Sequence, residues 1–134
     1  MEEIHSIHFK ADNLNEMIEK IKKGLPTETV VRLSNSLDMP LKAIADIAAI
    51  SQSTLSRRKR KGRLKADESD RIVRLARMRD RAVEVFEDDG QANRWLKTAL
   101  PSLAGHSPLE YAESELGAQE VMNLLGRIEH GVYS

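Results

Sequence analysis

Apolar residues recur at helical spacing along most of this chain, and that periodicity constrains its fold more than any other feature. The first clear example follows the i, i+3, i+4 pattern of one helix face, with apolar side chains at Leu14, Met17, Ile18, Ile21 and Leu25. No run of residues alternates between apolar and polar over the length that a half-buried strand needs. The pattern therefore predicts an all-α fold.

Capping residues and helix breakers place the boundaries of the predicted helices. Asp12 is a candidate N-cap for the first helix, and Gly24 is a candidate stop. A second helix is predicted from about Pro26, a third from Pro40, and a fourth capped by Ser51. A long helix is predicted from Asp67 to about Glu87, and Gly90 follows its end. The remaining predictions are a helix that carries Trp95 and ends before Pro101, and two short helices over residues 108–115 and 117–131.

The chain contains no cysteine, which excludes disulfide bonds, thiolate metal sites and thiol nucleophiles. Its first residues lack the basic start and apolar run of a secretory signal. No apolar stretch approaches the ~18 residues that span a bilayer. These features predict a soluble, cytoplasmic protein that does not contact a membrane.

The net charge of zero hides a strong segregation of charge along the chain. Residues 51–81 carry twelve Lys or Arg against four Asp or Glu, a net charge of +8. Residues 1–50 have a net charge of −2, and residues 82–134 have a net charge of −6. A basic segment between acidic ends indicates one surface for an anionic polymer and a second surface for a different partner.

Residues 41–63 have the pattern of a helix-turn-helix. Two short helices that cross closely need a small fifth residue in the first helix, which here is Ala45. The side chains placed to fill the core around it are Ile44, Ala48, Ile50 and Leu55. Ser51 suits the N-cap of the second helix because its hydroxyl can accept an amide of the first turn.

The second helix of this motif is the predicted DNA reader. With Leu55 facing the core, steps of about 100° per residue point four side chains toward the bases of a major groove, namely Ser53, Ser56, Arg57 and Arg60. Phosphate contacts are predicted for Arg58, Lys59, Lys61 and Arg63. The full predicted DNA-binding set is Gln52, Ser53, Ser56, Arg57, Arg58, Lys59, Arg60, Lys61 and Arg63.

Two residues depart from the usual form of this motif. Ala49 stands where such turns often have glycine, so some backbone strain is expected there. Arg58 occupies a position that is frequently apolar, and we expect its stem to cover apolar surface while its head reaches solvent. A basic run alone is more often a solvated surface, but the helix, serine cap and Leu55 that precede this run favour DNA binding.

No residue pattern indicates catalysis, a metal site or a cofactor. His5 and His8 are three residues apart, but His106 and His130 lie far along the chain without carboxylates at ligand spacing. No serine has a glycine elbow or placed His and Asp partners. The chain is therefore predicted not to be an enzyme.

Four segments together resemble the Xre/ParS/MbcA family of antitoxins. They are RKGRLKADESDRIVRLARM from Arg60, RWL from Arg94, GHSPLEY from Gly105, and the ending LLGRIEHGVYS from Leu124. The resemblance implies an N-terminal Xre-like helix-turn-helix domain for DNA binding and dimerisation, over residues 1–66. It also implies a small helical toxin-binding domain over residues 67–134 of a bacterial protein.

Proteins of this kind pair with RES-type toxins, which consume NAD or transfer ADP-ribose from it. The resemblance implies that the last helix and tail block the toxin's NAD cleft while the first domain represses the operon. An arginine and an aromatic ring suit such a cleft, although a terminal tyrosine can equally pack on its own domain. The predicted toxin-binding residues are Leu124, Arg127, Ile128, Glu129, His130, Val132 and Tyr133.

Two other functions fit parts of the sequence. A stand-alone repressor would need a ligand pocket within residues 67–134, whereas an adaptor without DNA binding would tolerate charge reversal at Arg57 and Arg60. Operator binding also implies a homodimer whose half-sites lie about 34 Å apart, within a larger toxin–antitoxin complex. Helices up to Leu37 are the expected dimer surface because they carry apolar stripes outside the helix-turn-helix core.

Overall fold

The computed structural model describes residues 14–131, and this part of the chain is helical. Its helices are α1 (Leu14–Lys23), α2 (Glu28–Leu37), α3 (Leu41–Ile47), α4 (Gln52–Lys61), α5 (Ala66–Phe86), α6 (Asp89–Leu96), α7 (Pro108–Tyr111) and α8 (Glu115–Glu129). A short 3-10 helix spans Pro101–Leu103, and Pro26 forms an isolated bridge with Arg63. The all-α prediction is confirmed.

The chain divides into two compact units, Met1–Arg77 and Met78–Ser134. The division falls inside α5, whereas the predicted domain boundary lies at residues 66 and 67, where α5 begins.

The first unit is built around the helix-turn-helix. In it α2 packs against α3, and α3 packs against α4. The predicted core residues Ile44, Ala45, Ala48, Ile50 and Leu55 are all buried, as are Val30, Leu33 and Leu37 of α2. The sequence pattern therefore identified this core correctly.

Helix α1 has the predicted amphipathic pattern but buries no residue. Leu14 is 51% exposed and Ile18 is 40% exposed. The candidate cap Asp12 lies outside the described residues. Gly24 ends α1 at a φ of +91°, and a Cβ there would lie 2.0 Å from the carbonyl oxygen of Leu64, so glycine is needed at this stop.

The second unit holds the end of α5 and helices α6 to α8, with α6 against α7 and α7 against α8. Its largest fully buried side chains include Leu96, Leu103, Leu109, Leu124 and Leu125. Trp95 is only half-buried and lies 5.5 Å from Phe86, measured between ring centroids.

Helix α5 ends at Phe86, one residue from its predicted end, and Gly90 follows it as predicted, inside α6, which Asp88 caps by accepting the amide of Gln91 at 2.6 Å. The boundaries predicted for the last two helices are wrong. Helix α7 is shorter than predicted and ends at Tyr111. Ser114 then caps α8 by accepting the amide of Gly117 at 3.0 Å, which starts that helix at Glu115.

Candidate functional site

The turn between α3 and α4 has the geometry that the sequence predicts. Ala49 has a φ of +60°, the left-handed conformation that usually favours glycine. Ser51 caps α4, and its hydroxyl oxygen accepts the amide of Thr54 at 3.2 Å. The predicted serine cap and the predicted strain at Ala49 are both confirmed.

Most of the predicted DNA-binding side chains lie on the exposed part of α4, which has no acidic residue. The exposed members are Gln52, Ser53, Ser56, Arg57, Lys59, Arg60 and Lys61. Arg63 follows the end of α4; it is exposed, and its guanidinium donates to the carbonyl of Gly24 at 2.6 Å. These side chains form a basic surface, which we call the α4 surface.

Arg58 is the exception, and the expectation that its head reaches solvent is wrong. It lies three residues after Leu55, on the face of α4 that turns inward, and is 8% exposed. Its Nε donates to Oε1 of Glu68 at 2.8 Å, and its Nη2 donates to Oε2 at 2.9 Å. This fork-shaped pair raises the pKa of Arg58 and lowers the pKa of Glu68.

Glu68 belongs to this site, although no pattern in the sequence singled it out. It is the third residue of α5, and its Oε1 also accepts the amide of Lys65 at 2.9 Å. One signal was available, since an arginine at a usually apolar position needs a carboxylate partner. That partner lies in the next helix, so local spacing could not identify it.

The predicted toxin-binding residues differ in their placement. Leu124 is 1% exposed because it belongs to the inward face of α8, so its side chain supports the core of the second unit and is not presented at the surface. Ile128 is half-buried, whereas Arg127, Glu129 and His130 are exposed. Val132 and Tyr133 lie outside the described residues.

Two of the exposed residues at the end of α8 form ion pairs. Glu129 accepts two hydrogen bonds from the guanidinium of Arg81, which lowers the pKa of Glu129 and raises the pKa of Arg81. Arg127 Nη2 lies 3.2 Å from Oε2 of Glu120. His130 Nδ1 lies 2.8 Å from the carbonyl oxygen of Gly126, which holds the imidazole against the last turn.

A surface groove of about 860 Å³ lies beside α7 and the start of α8. Its lining includes His106, Glu110, Tyr111, Glu113, Leu116 and Glu120. Leu116 is 86% exposed. The groove differs from the apolar, enclosed pocket that a small-ligand repressor would need.

Residues 14–131 contain no group of three or more potential side-chain ligands that could hold a metal ion. In the same part of the chain, no helix combines the length and apolar character needed to cross a bilayer.

Comparison with known families matches each unit separately. Residues 16–77 match the antitoxin Xre-like helix-turn-helix domain. Residues 81–131 match the antitoxin Xre/MbcA/ParS C-terminal toxin-binding domain.

Curated relatives extend this similarity over most of the chain. Antitoxin Xre of Yersinia enterocolitica serotype O:8 / biotype 1B is 36% identical over 120 residues, which is 88% of this chain and 81% of the relative. Antitoxin Xre of Photorhabdus laumondii is 40% identical over 116 residues, which is 85% of this chain and 78% of the relative. The Prs ADP-ribosylating antitoxin of a Sphingobium species is 23% identical over 124 residues, covering 85% and 78%.

Proposed function

Because the chain belongs to the family of antitoxins with an Xre-like helix-turn-helix domain and an Xre/MbcA/ParS toxin-binding domain, we propose that it neutralises a RES-type toxin and represses its own operon. One observation carries this proposal. The two family matches, residues 16–77 and 81–131, fall on the two separate compact units. This match supports different binding surfaces for the toxin and the operator on one chain.

The end of α8 and the tail form the proposed inhibitory element. Arg127 and His130 are exposed at this end, and Val132 and Tyr133 follow in the sequence. An arginine can form two parallel hydrogen bonds with an anionic group of the toxin at the cleft, and a tyrosine ring can occupy a site for a base. The name of the Sphingobium relative supports a link to ADP-ribosylation.

The α4 surface is the proposed operator contact. Ser53, Ser56, Arg57 and Arg60 are assigned to base edges, and Lys59, Lys61 and Arg63 to phosphates. We assign the uncovered face of α1 to a second copy of the chain, since operator half-sites about 34 Å apart require a dimer.

A tail truncation tests the inhibitory element directly. We expect the full chain to suppress NAD consumption by its cognate toxin, and a variant ending at Gly131 to bind the toxin but suppress this activity at least tenfold less well. This truncation leaves α8 and the pair between Arg81 and Glu129 intact. Isothermal titration and an NAD assay give the two readouts.

The matched control lacks Ser134 alone and should behave as the full chain. Full suppression by the variant ending at Gly131 would show that the tail does not block the NAD cleft. Failure of the full chain to bind its cognate toxin would overturn the proposed neutralisation itself.

A further inference from the structure

The first turns of α5 hold both sides of the turn between α3 and α4. We propose that Glu68 and Arg71 of α5 are positioning residues for operator recognition, which set the angle of α4 without touching DNA. Arg58 takes part from α4 as the partner of Glu68. This inference rests on the proposed DNA binding of the first unit.

Helix α4 has few internal contacts that could fix its orientation. Only two of its ten residues, Leu55 and Arg58, are buried. Leu55 gives one apolar point of attachment within the helix, and the C-cap Gly62 gives a second because its carbonyl accepts the amide of Thr27 at 3.2 Å. The two parallel hydrogen bonds from Arg58 to Glu68 add a third point, and their fork geometry restricts rotation of the helix about its own axis.

Arg71 makes the corresponding contact on the other side of the turn. Its Nε donates to the carbonyl oxygen of Ala48 at 2.6 Å. Ala48 is the C-cap of α3 and immediately precedes Ala49, whose φ of +60° forms the turn. Glu68 and Arg71 lie three residues apart on α5, so a single helix turn fastens both α3 and α4.

We call the two contacts of α5, Glu68 with Arg58 and Arg71 with the carbonyl of Ala48, the brace. Its loss should affect base recognition and phosphate attraction differently. Hydrogen bonds from Arg57 or Arg60 to a base edge require the correct angle of α4. Attraction to phosphates depends mainly on the number of positive charges and tolerates small tilts. The brace therefore determines sequence preference more than general affinity for DNA.

The main test replaces the buried pair without changing net charge. In Arg58→Met/Glu68→Gln, the amide oxygen at position 68 can still accept the amide of Lys65, and no buried charge remains unpaired. We expect affinity for the operon's upstream DNA to fall about tenfold or more. Affinity for a mixed-sequence duplex of equal length should change less than about twofold.

The matched control is Arg74→Met/Asp70→Asn, which removes the 3.8 Å pair between half-buried Arg74 and exposed Asp70 on the same helix. The affinities of this control variant for the upstream DNA and for the mixed-sequence duplex should both stay within about twofold of the wild-type values. Circular dichroism and thermal unfolding define a temperature at which all variants are folded. Fluorescence anisotropy then measures the two duplexes at the same salt concentration.

Two single variants keep the inference testable if the double variant does not fold. Arg58→Lys keeps the positive charge but cannot form the fork, so it should lose preference for the upstream DNA. Arg71→Met removes the contact with Ala48 and should lower that preference about threefold to fivefold.

Unchanged preference for the upstream DNA in the folded variants would overturn the inference. An equal fall for both duplexes would also overturn it, since that result indicates a general loss of DNA affinity. If the wild-type chain itself shows no preference for the upstream DNA, the proposed operator binding fails, and this inference fails with it.

Discussion

Glu68 has a lowered pKa because Arg58 donates two hydrogen bonds to its ionised carboxylate. The amide of Lys65 acts in the same direction, whereas burial opposes both effects. A carboxyl group with a lower pKa in the folded chain stabilises the fold above its unfolded pKa. That contribution is lost as the pH falls through the folded pKa.

The free energy of unfolding should therefore fall as the pH is lowered from about 7 to about 3, and Glu68→Gln should reduce this pH dependence. At about pH 7 the substitution should lower the free energy of unfolding by about 3 kcal/mol, because Arg58 stays buried without an anionic partner. Urea unfolding followed by circular dichroism measures both effects.

Asp70→Asn is the control for this prediction, since it neutralises an exposed carboxylate of the same helix. Its effect at about pH 7 should be below about 1 kcal/mol. The same pH dependence in wild type and Glu68→Gln would contradict the stabilising role of this ionisation.

Ala49 holds a left-handed backbone conformation at the turn between α3 and α4. Its φ of +60° is unfavourable for a residue with a Cβ. We expect Ala49→Gly to raise the free energy of unfolding by about 0.5–1 kcal/mol, measured by urea unfolding. Ala43→Gly, inside α3, should lower it by about 1 kcal/mol, and destabilisation by both substitutions would contradict strain at the turn.

At the scale of elements, local signals predicted α3 and α4 well. Ser51, Ala49 and Leu55 act within a few residues of their own positions, so a single sequence reveals their roles. The burial of the Arg58 side chain could not be predicted in this way, because it depends on hydrogen bonds to Glu68 in the next helix. Leu124 is a different case, because its helical spacing places it on the buried face of α8, and only the family resemblance assigned it to the toxin-binding set.

Boundaries in the second unit show a different limit on prediction. The end of α5 near Glu87 was predicted, but the start of α6 was not, because it depends on the side-chain cap that Asp88 supplies. Ser114 likewise starts α8 before Gly117. A Cβ at Gly117 would lie 1.7 Å from the carbonyl oxygen of Tyr111, so this glycine allows a close approach of α8 to that carbonyl and is not the first residue of the helix.

Helix α1 is the element that we expect to form the dimer surface. It has an apolar face but no buried residue, so a second copy of the chain would cover side chains such as Leu14 and Ile18. We expect Leu14→Glu/Ile18→Glu to convert a dimer into a monomer of 15.1 kDa, measured by sedimentation equilibrium.

The control is Glu19→Gln/Lys22→Gln, which removes the 3.7 Å surface pair of α1 and should leave the dimer intact. A dimer that persists in Leu14→Glu/Ile18→Glu would place the dimer surface elsewhere on the chain.

At the scale of the whole molecule, a net charge of zero does not describe how the chain meets its partners. Residues 51–81 have a net charge of +8, and residues 82–134 have a net charge of −6. Because ions screen exposed charges within about 8–10 Å at physiological salt, each partner responds mainly to the charges near its own contact surface. The affinity for DNA should therefore depend on the charge of the α4 surface and not on the net charge of the whole chain.

Salt dependence tests this argument quantitatively. If Lys59, Lys61 and Arg63 of both protomers contact phosphates, the roughly six contacts predict a slope of about −5 for log affinity against log salt concentration. Lys59→Gln/Lys61→Gln removes four of them and should leave a slope of about −2. Arg94→Gln/Lys97→Gln removes the same charge from the exposed part of α6 and its C-cap, and should leave the slope unchanged. A slope that follows total charge in both variants would mean that α4 does not meet the phosphates directly.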